Sequence, residues 1–185
     1  MSIRTNALLF VAVVAATVTA ITVASPPPED RIVADARPVP EFRGVDNWFN
    51  SAPLKLDELR GKVVLVDFWT YTCSNCLNHL PYVKQWHENY RDEGLVVVGV
   101  HTPEFEFEKS AQNVQDAIKR LQIKHAVAQD NSYATWKSFK NRYWPAVYLI
   151  DKQGRIVYSH YGEGSYGETE KRIQALLAEP AVSTR

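Results

Sequence analysis

The stretch Trp69-Thr70-Tyr71-Thr72-Cys73-Ser74-Asn75-Cys76 holds the only two cysteines of the chain, in C-x-x-C spacing at the end of an apolar run. That run, Val63-Val64-Leu65-Val66-Asp67-Phe68-Trp69, reads as a fully buried strand of valine, leucine and aromatic residues. Beyond it Leu77, Leu80, Tyr82, Val83, Trp86 and Tyr90 recur at three- and four-residue spacing, which predicts a helix. Cys73 then falls at a helix N-terminus, where free backbone N–H groups and the positive end of the helix dipole stabilise a thiolate. The thiolate is the form that attacks disulfides, so the pattern predicts a redox dithiol in position to react.

Other chemistries compete for two close cysteines. As a structural staple, so small a ring constrains the unfolded chain by only about 2 kcal/mol and is easily strained. Metal is the second alternative, because Cys73, Cys76 and His79 form a C-x-x-C-x-x-H run whose side chains converge on one helix face. Zinc wants four ligands in a closed site, and no second Cys/His pair stands elsewhere in the sequence. Haem attachment needs His directly after the second cysteine, and Leu77 is there.

Several separated motifs agree with one family. Val66-Asp67-Phe68-Trp69 followed three residues later by C-x-x-C resembles the thioredoxin active-site strand, and Trp144-Pro145 before the apolar run 146–150 resembles that fold's cis-proline loop. More narrowly, Trp69 through Cys76, Gly99-Val100-His101-Thr102-Pro103-Glu104-Phe105 and His160-Tyr161-Gly162-Glu163-Gly164 resemble the extracytoplasmic TlpA/ResA-like oxidoreductases, above all the soluble domain of DipZ-type proteins. The resemblance runs over about residues 42–177. It implies an α/β thioredoxin fold: a mixed central sheet flanked by helices, with an N-terminal hairpin and an inserted strand and helix. It also implies a thiol-disulfide oxidoreductase with no bound cofactor beyond the redox-active Cys73–Cys76 disulfide. Cys73 attacks a substrate disulfide and Cys76 resolves the mixed disulfide. Ser74-Asn75 between the cysteines lacks both the Gly-Pro of thioredoxin and the Pro-His of strong oxidants. The resemblance favours a reductant, with exported protein thiols or disulfides as partners and a membrane electron donor of the DsbD/CcdA type.

Asp67 lies inside the apolar strand, where a charge is costly unless it has a task or a hydrogen-bonded partner. In the family it takes the place of the buried acid behind the second cysteine, which makes it the proton acceptor for Cys76. ResA-type relatives carry Asn at this strand position and an acid on the following helix, where this chain has His79. Proton transfer is therefore open between Asp67 and His79. Pro145, read as cis, turns the Trp144 backbone toward the dithiol. Trp69, Tyr71 and Trp144 are assigned to the substrate groove.

Glu104, Glu106 and Glu108 alternate with Phe105 and Phe107 and read as acids in a helix's opening turn with phenylalanines packing inward, ahead of a substrate-groove role. His101 and His125 read as polar residues satisfied locally. Gly162 to Gly167 fits G-x-G-x-x-G, but no further strand with an acidic ribose partner follows about 20 residues on. A thioredoxin-fold copper-binding chaperone is a rival reading, though such proteins space the cysteines by three. A thiol peroxidase is another: Thr70 stands at T-x-x-C before Cys73, but the proline that opens the peroxiredoxin motif is absent.

The elements that must hold these residues follow in order. Residues 42–56, with Asn50-Ser51-Ala52-Pro53 between apolar flanks, read as an opening hairpin. The active-site strand and helix come next, Gly94 ends the helix, and residues 95–100 form a second buried parallel strand. Residues 108–121 predict a crossover helix, 125–128 a short strand, and 132–140 a helix capped by Ser132. Residues 146–150 and 155–161 pair through an Asp151-Lys152-Gln153-Gly154 turn, and a last helix covers 168–178.

At 185 residues, 45% hydrophobic and 23% charged, the chain has room for one core. Lys+Arg and Asp+Glu number 21 each, so no net basic field exists to hold nucleic acid. Arg4 precedes an uncharged stretch, residues 7–24, rich in Val, Ala, Leu and Ile. Residues 1–24 read as a signal peptide or membrane anchor; Val18-Thr19-Ala20 offers small residues for cleavage, and the retained anchor is favoured. Residues 25–40 hold five prolines and read as a tether unable to pair into a sheet, 41–180 as the thioredoxin-like domain, and 181–185 as a tail. The domain is thus expected in the periplasm or on the outer face of the inner membrane.

Overall fold

The computed structural model describes residues 36–180. The anticipated signal or anchor, the tail and most of the tether lie outside them. Among the described residues no helix is long and apolar enough to cross a membrane.

The strands are β1 (Arg37–Pro38), β2 (Asn47–Phe49), β3 (Val63–Trp69), β4 (Leu95–His101), β5 (Ala126–Gln129), β6 (Ala146–Ile150) and β7 (Arg155–Tyr161). The helices are α1 (Ser74–Tyr90), α2 (Ala111–Arg120), α3 (Ala134–Ser138) and α4 (Tyr166–Ala178). One mixed sheet runs in the order β1-β7-β6-β3-β4-β5-β2. Parallel β3, β4 and β5 lie beside antiparallel β6 and β7, as in the thioredoxin-like fold.

Every residue of β3 is buried, so its two faces sort by parity. Val64, Val66 and Phe68 face Trp136, Phe139 and Tyr148 and the partly buried Phe42, Trp48 and Leu54. Val63 and Leu65 face Val83 and Trp86 of α1 and Ile173 and Leu176 of α4. Trp69 continues that second face against Leu80 of α1 and Val114, Ala117 and Ile118 of α2. Asp67 has the same parity, which points its carboxyl under α1.

Several expectations are corrected. Residues 42–56 form no hairpin: β2 pairs antiparallel with β5, and the flanking apolar residues cover one face of the sheet instead. The end of the tether does pair, because Arg37 and Pro38 lie against Ile156 and Arg155 at the sheet's edge, the one place where a proline's missing N–H costs no ladder bond. The 108–121 helix breaks at Ser110 into a 3₁₀ turn, Glu106–Lys109, and α2, which Ser110 caps through the Asn113 N–H. Ser132 does not cap α3. Asp130 does, accepting from Thr135 N at 3.1 Å and Trp136 N at 2.8 Å. Gly94 ends a 3₁₀ turn, Arg91–Glu93, that follows α1, and takes the left-handed φ of 107° that glycine tolerates.

Candidate active site

β3 delivers Trp69 to the edge of the sheet, and Thr70, Tyr71 and Thr72 lead from it to Cys73. Cys73 is extended at φ −72°, ψ 114°, and caps α1 with its own sulfur. The Cys76 N–H donates to Cys73 Sγ at 3.2 Å, and the sulfurs lie 2.6 Å apart. Both are free cysteines, Cys73 half-buried and Cys76 buried. One sulfur is open to a partner and the other sits behind it.

Burial pushes the Cys76 thiol far up, and the hydrogen bond to Cys73 and the charges of Cys73 and Asp67 add to the shift, while a backbone hydrogen bond at Thr70 opposes it. A thiol so placed needs a base to become a nucleophile. Asp67 is 2% exposed, its Oδ1 has no hydrogen-bond partner among the described residues, and burial raises its carboxyl to about 7. His79 approaches to 3.7 Å, Nε2 to Oδ1, and neither ring nitrogen has a hydrogen-bond partner among the described residues. Burial, with His160 adding to it, lowers the imidazole to about 4, so at neutral pH this contact is not an ion pair. The two candidate proton acceptors share one pocket, and Asp67 is the one poised near neutrality.

The Trp144–Pro145 peptide is cis. Trp144 Nε1 donates to Thr102 O at 3.1 Å, its ring lies 4.2 Å from that of Trp136, and Gly162 N donates to Pro145 O at 2.8 Å. The glycine-rich segment thus braces the proline loop. Trp144 and Cys73 pack on the same cluster as Tyr71 and Cys76.

Trp69 does not line a groove. It is 2% exposed, its ring meets His101 edge-on at 5.4 Å, and its Nε1 has no partner among the described residues. Gly99 makes room for it, since a Cβ there would come within 2.9 Å of that nitrogen. Tyr71 is nearly buried, stacked on His101 at 5.5 Å. His101 Nε2 bonds Thr70 Oγ1 at 3.2 Å, but among the described residues its Nδ1 and both ring nitrogens of buried His125 find no partner, against the expectation of local satisfaction.

Sequence reasoning missed Glu108. It is buried, not a solvated acid of a helix's first turn, and the phenylalanines point outward. Its Oε1 accepts from Thr72 Oγ1 at 2.5 Å, and its Oε2 from the N–H groups of Glu104 at 2.6 Å and Phe105 at 3.0 Å. Burial raises its carboxyl, but hydrogen bonds from Thr70, Thr72 and these backbone groups outweigh that and hold it below the ordinary value. The available signal was the reach of a third-position Glu back to the N–H groups opening a turn, half of a capping box.

Fold and dithiol together define the class of thioredoxin-like thiol-disulfide oxidoreductases. Residues 34–177 match the Redoxin family, and the chain belongs to it. It is 47% identical over 148 residues to Protein DipZ of Mycobacterium tuberculosis (strain CDC 1551 / Oshkosh), covering 77% of this chain. The chain spans only 21% of the DipZ length. It is 29% identical over 143 residues to the thiol-disulfide oxidoreductase YkuV of Bacillus subtilis (strain 168), covering 77% of this chain and 96% of YkuV. The crystal structure of a thioredoxin-like superfamily protein superposes with a TM-score of 0.73 at 27% identity, covering 78% of this chain and 99% of that one.

Proposed function

We propose that this chain is an extracytoplasmic oxidoreductase that reduces disulfides of exported polypeptides. The asymmetry of the pair carries the reading: Cys73 is half-buried at the helix start and Cys76 is buried behind it, beside a carboxyl near neutrality. The Cys73 thiolate attacks one sulfur of a substrate disulfide, forming the mixed disulfide and expelling the other substrate sulfur as a thiolate, which takes a proton from water. Asp67 accepts the Cys76 proton. Cys76 then attacks Cys73 Sγ, closes the internal disulfide and releases the second substrate thiolate. Two electrons pass to the substrate, and a membrane dithiol donor of the DsbD/CcdA type returns them. Trp144 and Pro145 present their backbone to the incoming chain, and His79 stays neutral beside Asp67.

Placement outside the cytoplasm is supported by Arg4 ahead of the uncharged stretch 7–24, which is long enough for a short membrane anchor. The order of attack is tested by trapping. Cys76→Ser should hold exported proteins as mixed disulfides on Cys73, released by excess thiol, and Cys73→Ser should hold none. Equal trapping by the two variants would show that the cysteines are assigned wrongly.

A further inference from the structure

The loop between β4 and α2 inverts the usual partition of polar and apolar residues. Residues 104–108 read Glu-Phe-Glu-Phe-Glu, and the member taken inside is an acid: Glu108 is 0% exposed, Phe105 51% and Phe107 55%. Burying a carboxylate while leaving two phenylalanines in water works against stability on both counts, so packing alone does not account for it. The two rings stack 5.6 Å apart at an interplanar angle of 3°, forming a flat apolar ledge edged by exposed Glu104 and Glu106.

This ledge is built rigidly onto the dithiol segment. The three Glu108 hydrogen bonds bind the loop backbone to Thr72, the residue before Cys73. Phe107 O accepts from Tyr71 OH at 3.2 Å and from Asn113 Nδ2 at 2.9 Å. The nearly buried Tyr71 ring lies 6.4 Å from that of Phe107 and supports the ledge from below, beside the segment that leads into Cys73.

We propose that Phe105 and Phe107 form a docking ledge for an unfolded, disulfide-bearing polypeptide, receiving a large apolar side chain near the cysteine under attack. The proposal rests on Cys73 as the attacking sulfur and names the substrate class for it. The occupant follows from the attachment of the ledge to Tyr71 and Thr72, the two residues before that sulfur. A large apolar side chain beside a disulfide is accessible in a polypeptide that has not folded and is buried in one that has. A ledge already held in place binds without the cost of ordering its own side chains, and exposed aromatics are strong anchors.

The test compares the pre-reduced full-length protein with its Phe105→Ala/Phe107→Ala variant in stopped-flow reduction of two substrates. One is an unfolded polypeptide with scrambled disulfides, the other hydroxyethyl disulfide, which carries no apolar side chain. Both replaced residues are exposed, so the fold should survive. The rate constant for the polypeptide should fall about tenfold, as for loss of a binding anchor, with that for hydroxyethyl disulfide unchanged. An equal fall with both substrates, or none with the polypeptide, overturns the ledge while leaving disulfide exchange intact. Concentration-dependent dimers abolished by the variant at unchanged rates would make it a contact between copies and overturn it equally. Failure of the wild type to reduce either substrate would refute the exchange reading and the ledge with it.

Discussion

A carboxyl held half-ionised inside the protein is the most consequential single group. The ordinary aspartate value is 3.8, and burial raises that of Asp67 to about 7. Between these values the folded state keeps a proton that the unfolded state has lost, so the Asp67 contribution to stability falls as pH rises through this window. Asp67→Asn removes the buried charge and keeps the shape. It should stabilise the fold by on the order of 4 kcal/mol above pH 7, a gain that vanishes below about pH 4. The same substitution should slow release of the mixed disulfide about a hundredfold while leaving the initial attack by Cys73 nearly untouched, because only resolution requires a deprotonated Cys76. Rapid-mixing kinetics separate the steps. An unchanged resolving rate in Asp67→Asn, with a slowed one in His79→Ala, would transfer the role to the histidine.

At the scale of elements, what was legible in the sequence was local. β3, α1 and the dithiol at their junction are marked by an unbroken apolar run, helical spacing and a C-x-x-C within one stretch of chain. The cis-proline was legible only through family resemblance, since Trp144-Pro145 alone reads equally as a strand start. Long-range choices were not legible. Whether residues 42–56 pair with themselves or cover a distant face depends on β5, about 80 residues away, and residues 37–38 pair because an edge happens to be free at β7. The Glu-Phe alternation of 104–108 was misread for a related reason. A period of two says that alternate residues part company, and Thr72, brought in by another element, decides that the acid goes inside. Asp130 displaced Ser132 as the cap of α3 because a carboxylate at the end of β5 reaches two of the helix's free N–H groups at once.

For the molecule as a whole, buried histidines set the acid limit. Burial lowers His79 and His101 to about 4 and His125 to about 3, with smaller contributions from neighbouring charges. Each contributes stability that is complete above the unfolded value near 6.5 and is lost as pH falls toward its folded value. Asp67 has the opposite sign over the same range, so of these four groups the three histidines each take up a proton and the acid releases one on unfolding near pH 5, about two protons net from them. These groups together contribute about 3 kcal/mol per pH unit, so urea titrations should find stability falling on acidification there, and a flat profile would contradict this. The redox poise is likewise a property of the whole. Burial and the charge of Asp67 beneath α1 both disfavour the Cys76 thiolate, whereas strong oxidants owe their potential to a stabilised reduced form. The reduction potential of the Cys73–Cys76 pair, measured against a glutathione or dithiothreitol buffer, is the most direct test of a reducing dithiol. A value below about −200 mV, on the thioredoxin side, is predicted; a value near about −120 mV, as for strong oxidants, would contradict it.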